Sequence, residues 1–484
     1  MKNNSITRRQ LLKTAVSAGI LTGCPLLSSP LLKGESSTDV LEKEESLPIF
    51  PDNPAIEHLP ENCISCGRCR GFCYDVTAVF GHKVPKGEEA CIHCGQCTLF
   101  CQTDALVEKV HFPDLVKALD EKKTVICSTS PAIRVSLGEM FGMPPGMDVE
   151  GKTIAALKAA GVDYVLDTTF AADLTVMEEA AELLKRLEKN NEKKPLPMFS
   201  SCCPAWVRFA KLFYPKFLPN ISTTKSPVMI QGAMVKSFFA QKLKIKPEDI
   251  FHAALTPCTA KKGEILLAGM DVSGDLCGNS DVRDVDAVLT CRELAYFLAQ
   301  KKIKFREMPD AAYDSVMGLG SGAGMIFGNT GGVTEAVLRT AYYFLNGKNP
   351  PDDFYKIESI SGTAAGRRAA VDLGKRKLNV AAVHGIANVR PLLAALEQGK
   401  ADFDFIEVMA CPGGCIGGGG QPKDLAADTG DILLKRRAGL FKRDTNNPLR
   451  LSYENPEIKA VYKEFLGEPL SGKSEKMLHL DFPH

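Results

Sequence analysis

The stretch Glu407–Pro422, EVMACPGGCIGGGGQP, places two cysteines, Cys411 and Cys415, inside a glycine-rich loop. Gly413, Gly414 and Gly417 to Gly420 leave little side-chain bulk beside the thiols. Glycine lets a backbone bend freely and approach a bulky group closely. The loop follows a short apolar run, Phe403–Met409, that reads as a buried strand. A strand feeding such a loop points to a metal–sulfur cluster buried at a sheet end, not to a surface zinc knuckle. The plainer alternative is a flexible turn with two incidental cysteines, and the rest of the chain must decide between them.

The chain holds 17 cysteines, and their grouping favours metal ligation over a disulfide framework. Cys63-x2-Cys66-x2-Cys69-x3-Cys73 is followed by Cys91-x2-Cys94-x2-Cys97-x3-Cys101. This is the bacterial ferredoxin spacing written twice, in which the fourth cysteine of each run serves the other cluster. One 4Fe–4S cluster then takes Cys63, Cys66, Cys69 and Cys101, and the second takes Cys91, Cys94, Cys97 and Cys73. The usual proline after the fourth cysteine is replaced by Tyr74 and Gln102, which weakens the turn signature and leaves the ligand set intact. A pair of zinc sites is the competing reading. Such a module is an electron wire, so the large region attached to it should do redox chemistry.

At 484 residues the chain has room for two or three domains. Its formal charge of +1 gives no reason to expect a nucleic-acid partner. Thr7–Lys13, TRRQLLK, is a twin-arginine pattern, and the apolar run Thr14–Thr22 after it is too short to span a bilayer. Leu21-Thr22-Gly23-Cys24 resembles a lipoprotein cleavage box, which makes Cys24 a candidate lipid anchor. Loss of residues 1–24, with four basic residues and no acids, would take the formal charge from +1 to about −3. An extracytoplasmic, periplasmic location follows, and export in the folded state would protect cluster thiols from an oxidising compartment.

From about residue 115 apolar runs alternate with helical stretches. Thr124–Thr129, Val162–Leu166, Leu196–Ser200, Ile250–Thr256, Val285–Thr290, Leu378–His384 and Phe403–Met409 read as strands, and Asp173–Glu188 and Thr334–Leu345 as helices. This is an α/β pattern with parallel sheets, and active groups are expected on loops after strand ends. Two more such loops carry cysteines, Ser200–Trp206 (SSCCPAW) and Thr256–Glu264 (TPCTAKKGE). With Cys411 and Cys415 they offer five thiols from three distant segments. Four would complete a cubane site and one would stay free. Buried cysteine is often only a small hydrophobe, and that reading is kept for Cys127, Cys277 and Cys291.

These three segments resemble the signatures of the FeFe-hydrogenases. The family's TSCCPxW is written SSCCPAW here, its MPCxxKxxE is TPCTAKKGE, and its ExMACxxGCxxGGGQP is EVMACPGGCIGGGGQP. The end of the chain, from Ala438, looks like the small subunit of the two-subunit periplasmic enzymes: GLFKRD, PLRLSYENPEIKAVYKEFLGEPL and GKSEKMLH. The resemblance runs from about residue 58 to the end. Ahead of it, the twin-arginine pattern and the aperiodic composition give a signal peptide over 1–35 and a linker over 36–57, and the resemblance implies a ferredoxin-like α+β domain with two 4Fe–4S clusters over 58–110. An α/β catalytic domain would follow over 111–425, with parallel sheets in two lobes. A mostly helical wrapping tail would occupy 426–484. In that tail Asn455 is a natural helix cap, Pro456 suits the first turn and Gly467 ends the helix. Ile458, Val461, Tyr462 and Phe465 form its apolar stripe. The tail is expected to carry no chemistry.

Residue by residue, the resemblance implies that Cys203, Cys258, Cys411 and Cys415 hold the 4Fe–4S part of an H-cluster. Cys415 would bridge to a diiron unit with CO, cyanide and dithiomethylamine ligands. Lys261 would hydrogen-bond one cyanide, the backbone near Pro131 and Ala132 would contact the other, and Met409 would pack close by. Cys202 would pass protons, followed by Glu179, Ser222, Glu182 and Arg186 on the way to solvent. Glu179, Glu182 and Arg186 also share one helix face by spacing alone, although an ordinary charge ladder has the same pattern. Thr256 stands where the family has Met, and Ser130 where it has Ala; both would lie near the diiron pocket. The implied activity is reversible interconversion of H2 with protons and electrons, and export beyond the membrane favours the uptake direction, feeding an external carrier such as a c-type cytochrome or a ferredoxin. Maturation proteins would be needed to supply the cofactor. The rival readings are a non-catalytic iron–sulfur assembly factor, an H2 sensor and a plain electron carrier. The free thiol, Lys261 and the export signal speak against them.

Overall fold

A computed structural model describes residues 47, 49–82, 84–85, 87–188, 193–351, 354, 366–424 and 429–482. The twin-arginine pattern, Cys24 and most of the expected linker lie outside these residues. Near the N-terminal end of the described chain, β1 (Ile56–His58) pairs antiparallel with β2 (Leu106–Glu108), and both cysteine runs lie between them. The two runs repeat one backbone path. Ser65 and Gly67 in the first, and His93 and Gly95 in the second, all have positive φ, between 52° and 70°. A helix follows each at once, Arg68–Asp75 and Gln96–Phe100. Left-handed residues at matched positions wind the chain tightly around each set of thiols. Phe72 and Phe100, each just before a fourth cysteine, stack with centroids 4.3 Å apart and join the halves.

Eight further strands follow: β3 (Thr124–Thr129), β4 (Tyr164–Asp167), β5 (Met198–Phe199), β6 (Ile250–Leu255), β7 (Ala287–Leu289), β8 (Gly366–Asp372), β9 (Lys377–His384) and β10 (Phe405–Met409). They form two four-stranded sheets. The first, β4-β3-β6-β7, is wholly parallel. Its central strand is apolar and buried, as a strand covered on both faces must be. Thr129 lies level with Asp167 and Leu255, so three strands end together. The second sheet has the order β5-β10-β9-β8. Its first three strands are parallel, in keeping with the expected parallel sheets, and an edge strand that was not expected, β8, runs antiparallel to β9. No apolar run announces β8, because GRRAAVD lies at the sheet edge with its side chains largely in solvent. Gly374, at φ 82°, turns the chain between the two strands.

The helix Thr168–Glu188 starts directly at the end of β4, five residues before the expected Asp173. It is buried on nearly all sides, and Asp173, Glu178, Glu179, Glu182 and Arg186 on it are each at most 4% exposed. Charges placed there need partners, because an unpaired buried charge is costly. The C-terminal tail supplies several. Asp173 accepts from Ser452 Oγ at 2.8 Å and Asn455 Nδ2 at 2.9 Å, as well as from Ser321 N at 2.8 Å. Asn455 also caps the helix Pro456–Val461, accepting from Glu457 N at 2.9 Å. Ile458, Val461 and Tyr462 are buried against the same core as Phe170 and Leu174. Among the described residues no helix is long and apolar enough to cross a membrane.

The tail helix Thr429–Asn446 is pinned by a buried ion cluster. Arg339 bonds Glu335 Oε1 at 2.5 Å and Asp444 Oδ2 at 2.9 Å, and Arg450 bonds Asp444 Oδ2 at 2.8 Å. Arg339→Leu leaves two buried carboxylates short of a cation, which should cost about 3 kcal/mol. The expected result is a lower thermal midpoint and faster proteolytic release of the segment after residue 429. An unchanged midpoint would mean that the cluster does not hold the tail.

Candidate active site

The carboxyl ends of both sheets face one cavity. Ser130, Pro131 and Ala132 follow β3, Thr168 follows β4, and Thr256 to Lys261 follow β6. From the other sheet, Cys202 and Cys203 follow β5, and Met409 to Cys415 lie at and beyond the end of β10. All these positions except Thr259, Ala260, Pro412 and Gly413 line the cavity. The structure thus brings together all five thiols of the three loops, with Lys261, Pro131, Ala132 and Met409. Ser130 and Thr256, the two departures from the family pattern, also line it.

The wall is built to accept something bulky and sulfur-liganded. A Cβ added to Gly418 would strike the Pro257 carbonyl, and one on Gly414 would come within 2.8 Å of Thr330 N. The loop therefore has no room for side chains and passes close beneath the thiols. Burial pushes the Cys258 thiol up to about 11 and raises Cys203, Cys411 and Cys415 as well, with the neighbouring cysteines adding to the rise for Cys258, Cys411 and Cys415. Thiols in this setting stay protonated unless a cation replaces the protons, which is what iron does. The thiol set and the glycine cradle fit an iron–sulfur cluster. Thr168 Oγ1, buried and without a protein partner, adds a polar group to the cavity wall.

Lys261 is the cation of the cavity. Its Nζ bonds Glu264 Oε2 at 2.7 Å and the Cys202 carbonyl at 3.2 Å. Burial pulls the ammonium down, but Glu264 and the nearby thiols outweigh it and keep the charge on. A charged ammonium in a dry cavity suits an anionic ligand.

Cys202 is 9% exposed, and burial, then Glu179, raises its thiol, so it is a neutral S–H. Glu179 accepts weakly from Ser201 N at 3.4 Å, and its Oε2 has no protein partner. Burial, with Glu182 nearby, pushes this carboxyl up to about 8. Ser222 Oγ donates to Glu182 Oε2 at 2.8 Å and also lies close enough to Glu179 to lower it. At Glu182 the burial cost is outweighed by Arg186, at 2.6 Å, and the carboxyl falls below its usual range. The residues expected in the chain are therefore adjacent in order. The final link differs from expectation, because Arg186 does not open to solvent. Its side chain is 2% exposed and its Nη atoms bond four main-chain carbonyls, those of Pro195, Pro219, Asn220 and Ile221.

In the N-terminal module, Cys73, Cys91, Cys94 and Cys97 line a single cavity of about 500 Å³. Cys69 lies within electrostatic reach of Cys101 and Cys66. At Cys101 burial is outweighed by hydrogen bonds from Leu106, Thr103 and Ala105, which hold this thiol low. The module meets the catalytic cavity at the glycine-rich loop. Gln96 Nε2 donates to Gly417 O at 2.7 Å, and a Cβ on Gly419 would run into the Cys94 carbonyl. Cys411 and Cys94 sense each other electrostatically.

Two features of the site had little or no sequence signal. Glu407, within β10, is fully buried and accepts from Gly331 N at 2.7 Å and Thr334 N at 2.8 Å; burial pushes it up to about 7. It is the first residue of the EVMACPGGCIGGGGQP motif, which marked its position but gave it no role. Phe327 and Gly328 line the cavity from a segment with no motif of its own.

Two sheets that converge on buried thiols beside a cysteine-rich module define an iron–sulfur oxidoreductase. A family model described as iron only hydrogenase large subunit, C-terminal domain, matches residues 123–419, and one described as iron hydrogenase small subunit matches residues 430–484. Iron hydrogenase 1 of Clostridium pasteurianum is 38% identical over 475 residues, covering 94% of this chain and 79% of that protein. The periplasmic Fe hydrogenase large subunit of Nitratidesulfovibrio vulgaris is 42% identical over 366 residues, covering 74% of this chain and 84% of that one. A variant of apo FeFe-hydrogenase HydA1 from Chlamydomonas reinhardtii matches with a TM-score of 0.67 at 36% identity, over 77% of this chain and 99% of its own. The chain belongs to the FeFe-hydrogenases, enzymes of H2 metabolism at an H-cluster, with large- and small-subunit parts in one polypeptide.

Glu179 gives the site a pH signature. The folded protein keeps this proton to about pH 8, whereas an ordinary glutamate loses it near 4.5. Between these values the folded state binds more protons than the unfolded state, so unfolding free energy falls as pH rises. Glu179→Gln is neutral throughout and should remove this slope. In the unloaded protein, the variant's melting temperature should gain on the parent's from about pH 5 to about pH 8. A gap that stays constant would mean that Glu179 ionises normally in place.

Proposed function

We propose that this FeFe-hydrogenase works in H2 uptake and passes electrons through two accessory 4Fe–4S clusters to an external carrier, a c-type cytochrome or a ferredoxin. The observation that carries the reading is the single chamber in which Cys203, Cys258, Cys411 and Cys415 stand beside a free thiol, Cys202, and a charged lysine, Lys261. A plain electron carrier needs neither of the last two groups. When bound, the H-cluster supplies the splitting of H2 and the uptake of its electrons. Cys203, Cys258, Cys411 and Cys415 would hold its cubane, with Cys415 also bridging to the diiron unit. Lys261 would orient a cyanide by charge-assisted hydrogen bonding, the Pro131–Ala132 backbone would meet the second, and Met409 would keep water out.

The chain's own residues then move the proton. Cys202 Sγ receives it at the cavity wall and gives it to Glu179, whose affinity near neutrality suits rapid exchange in both directions. Ser222 accepts from Glu179 while donating to Glu182. Arg186 is permanently charged, and its part is to hold Glu182 ionised and ready to accept. For electrons, the contact of Cys94 and Gly95 with Gly417–Gly419 supports an exit from the cubane to the cluster held by Cys73, Cys91, Cys94 and Cys97. The cluster of Cys63, Cys66, Cys69 and Cys101 is the outer one, with Cys66 exposed. The domain divisions at 58–110, 111–425 and 426–484 belong to this proposal, as do twin-arginine export, lipidation at Cys24 and dependence on maturation proteins.

The test is infrared spectroscopy on natively matured, anaerobic protein. Bands of iron-bound CO and cyanide that shift under H2 are expected; cubane signals without such bands would return the assembly-factor or carrier reading. Cys202→Ser should retain the bands and lower turnover by about 10²-fold or more, the usual weight of a positioned proton donor. Film voltammetry checks direction, and a strong bias toward proton reduction would overturn uptake.

A further inference from the structure

The back of the Cys415 turn is built by the tail. Ile416 shares an apolar cluster with Ala132, Val135, Met325 and Leu440, and Cys415 and Leu433 pack against it. Leu433, Arg436 and Leu440 stand three and four residues apart on the helix Thr429–Asn446, so they share one face of it. The helix comes close enough that a Cβ on Gly439 would lie 2.7 Å from Gly146 O and 2.9 Å from Val135 Cγ1.

Between residues 413 and 420 only Cys415 and Ile416 carry side chains. The loop has little with which to hold itself, and side chains from beyond it take its carbonyls. Cys415 O accepts from Gln421 Nε2 at 3.1 Å, Ile416 O from Arg436 Nη1 at 2.7 Å, and Gly417 O from Gln96 Nε2 at 2.7 Å. Of these three donors Arg436 alone is charged, and it is 4% exposed. Its Nε and Nη2 also grip Glu139 Oε1 and Oε2, at 2.7 and 2.6 Å. Glu139 belongs to the turn Leu137–Phe141, which continues the Pro131–Val135 segment after β3. A two-pronged bond to a carboxylate fixes the plane of a guanidinium, and with it the direction of Nη1. One side chain from the tail thus spans two walls of the cavity, the one that begins at Ser130 and the one that carries Cys415.

We propose that Arg436 is a positioning residue of the catalytic site, setting where the Cys415 turn stands against the Pro131–Ala132 wall. The proposal rests on the hydrogenase reading, in which Cys415 bridges to the diiron unit between those walls. It gives the small-subunit-like tail a part in the site beyond covering the core. Two contributions of Arg436 are separable. Its charge neutralises Glu139, which another cation at this position would also do. Its fork aims Nη1 at Ile416 O while holding Glu139, a geometry that the flexible point charge of a lysine does not reproduce.

The decisive comparison is of Arg436→Lys, Arg436→Met and Arg443→Met in natively matured protein, reading the infrared bands of iron-bound CO and cyanide together with the thermal midpoint. Arg443 lies on the same helix and pairs with Asp148 at 2.6 Å and with Glu150, so its loss loosens the helix without touching the loop. Arg443→Met should lower the midpoint and leave the bands in place. Arg436→Lys should keep the midpoint near the parent's and displace the bands, and Arg436→Met should change both. Bands in Arg436→Lys that overlay the parent's would overturn the proposal, as would an equal displacement in Arg443→Met. If the matured parent shows no CO or cyanide bands, the hydrogenase reading itself fails. Positioning is then judged on the cubane of Cys203, Cys258, Cys411 and Cys415 in anaerobically reconstituted protein, and variants that take up no diiron unit are judged the same way. The reduction potential of that cubane must move in Arg436→Lys and hold in Arg443→Met; an unmoved potential in Arg436→Lys overturns the proposal.

Discussion

The structure depends on keeping charge in places that water does not reach. The helix Thr168–Glu188 carries an aspartate, three glutamates and an arginine into the interior, each at most 4% exposed. Four of the five are met by something specific: Asp173 by serine and asparagine donors, Glu178 by the tail, and Glu182 and Arg186 by each other, with Ser222 on Glu182. Glu179 differs. It accepts one weak bond, leaves an oxygen unpartnered, and is pushed furthest from its ordinary range. Under-satisfaction costs stability. Its position, between a buried thiol and a second carboxylate, is where a group that both takes and gives a proton is wanted.

The sheets explain how five thiols from distant segments meet. Parallel strands end on the same side, and loops after their carboxyl ends share one crevice. Here two such sheets face each other across that crevice, so each loop brings its residues to a common centre. The glycines of the 413–420 loop serve two neighbours at once. Gly414 and Gly418 make room on the cavity side, and Gly419 makes room for the Cys94 carbonyl of the electron-transfer module. A side chain at Gly419 would push the two halves of an electron route apart, and one at Gly414 or Gly418 would displace the loop from the backbone at Thr330 or Pro257.

Much of this was legible before any coordinates. The cysteine spacing repeats as a repeated backbone, with Ser65 matching His93 and Gly67 matching Gly95 in left-handed φ. The seven apolar runs fall on strands β3 to β7, β9 and β10, with ends that differ by at most two residues. Strand β8 escaped because an edge strand buries too little to need apolar alternation. Arg186 was read as a step toward solvent because helix spacing reports a shared face and says nothing of what covers it. The carbonyls of 195 and 219–221 come from elsewhere in the chain and close over the guanidinium. Thr168 had no motif, and Glu407, although it opens the EVMACPGGCIGGGGQP motif, was given no role, since the significance of both arises only when two sheets face each other.

The fusion of the tail to the large-subunit part follows from the same electrostatics. Glu178 is fully buried and takes all its hydrogen bonds from residues 462–479, and Asp173 takes two of its four from Ser452 and Asn455. A large-subunit region without its tail would leave Glu178 with none of these donors and Asp173 with those of Ser321 alone, and buried acids so short of partners must take up a proton or expose themselves to water. Supplying the donors from the same polypeptide makes the encounter intramolecular and removes its dependence on subunit concentration. The tail is thus the second half of a buried polar interior.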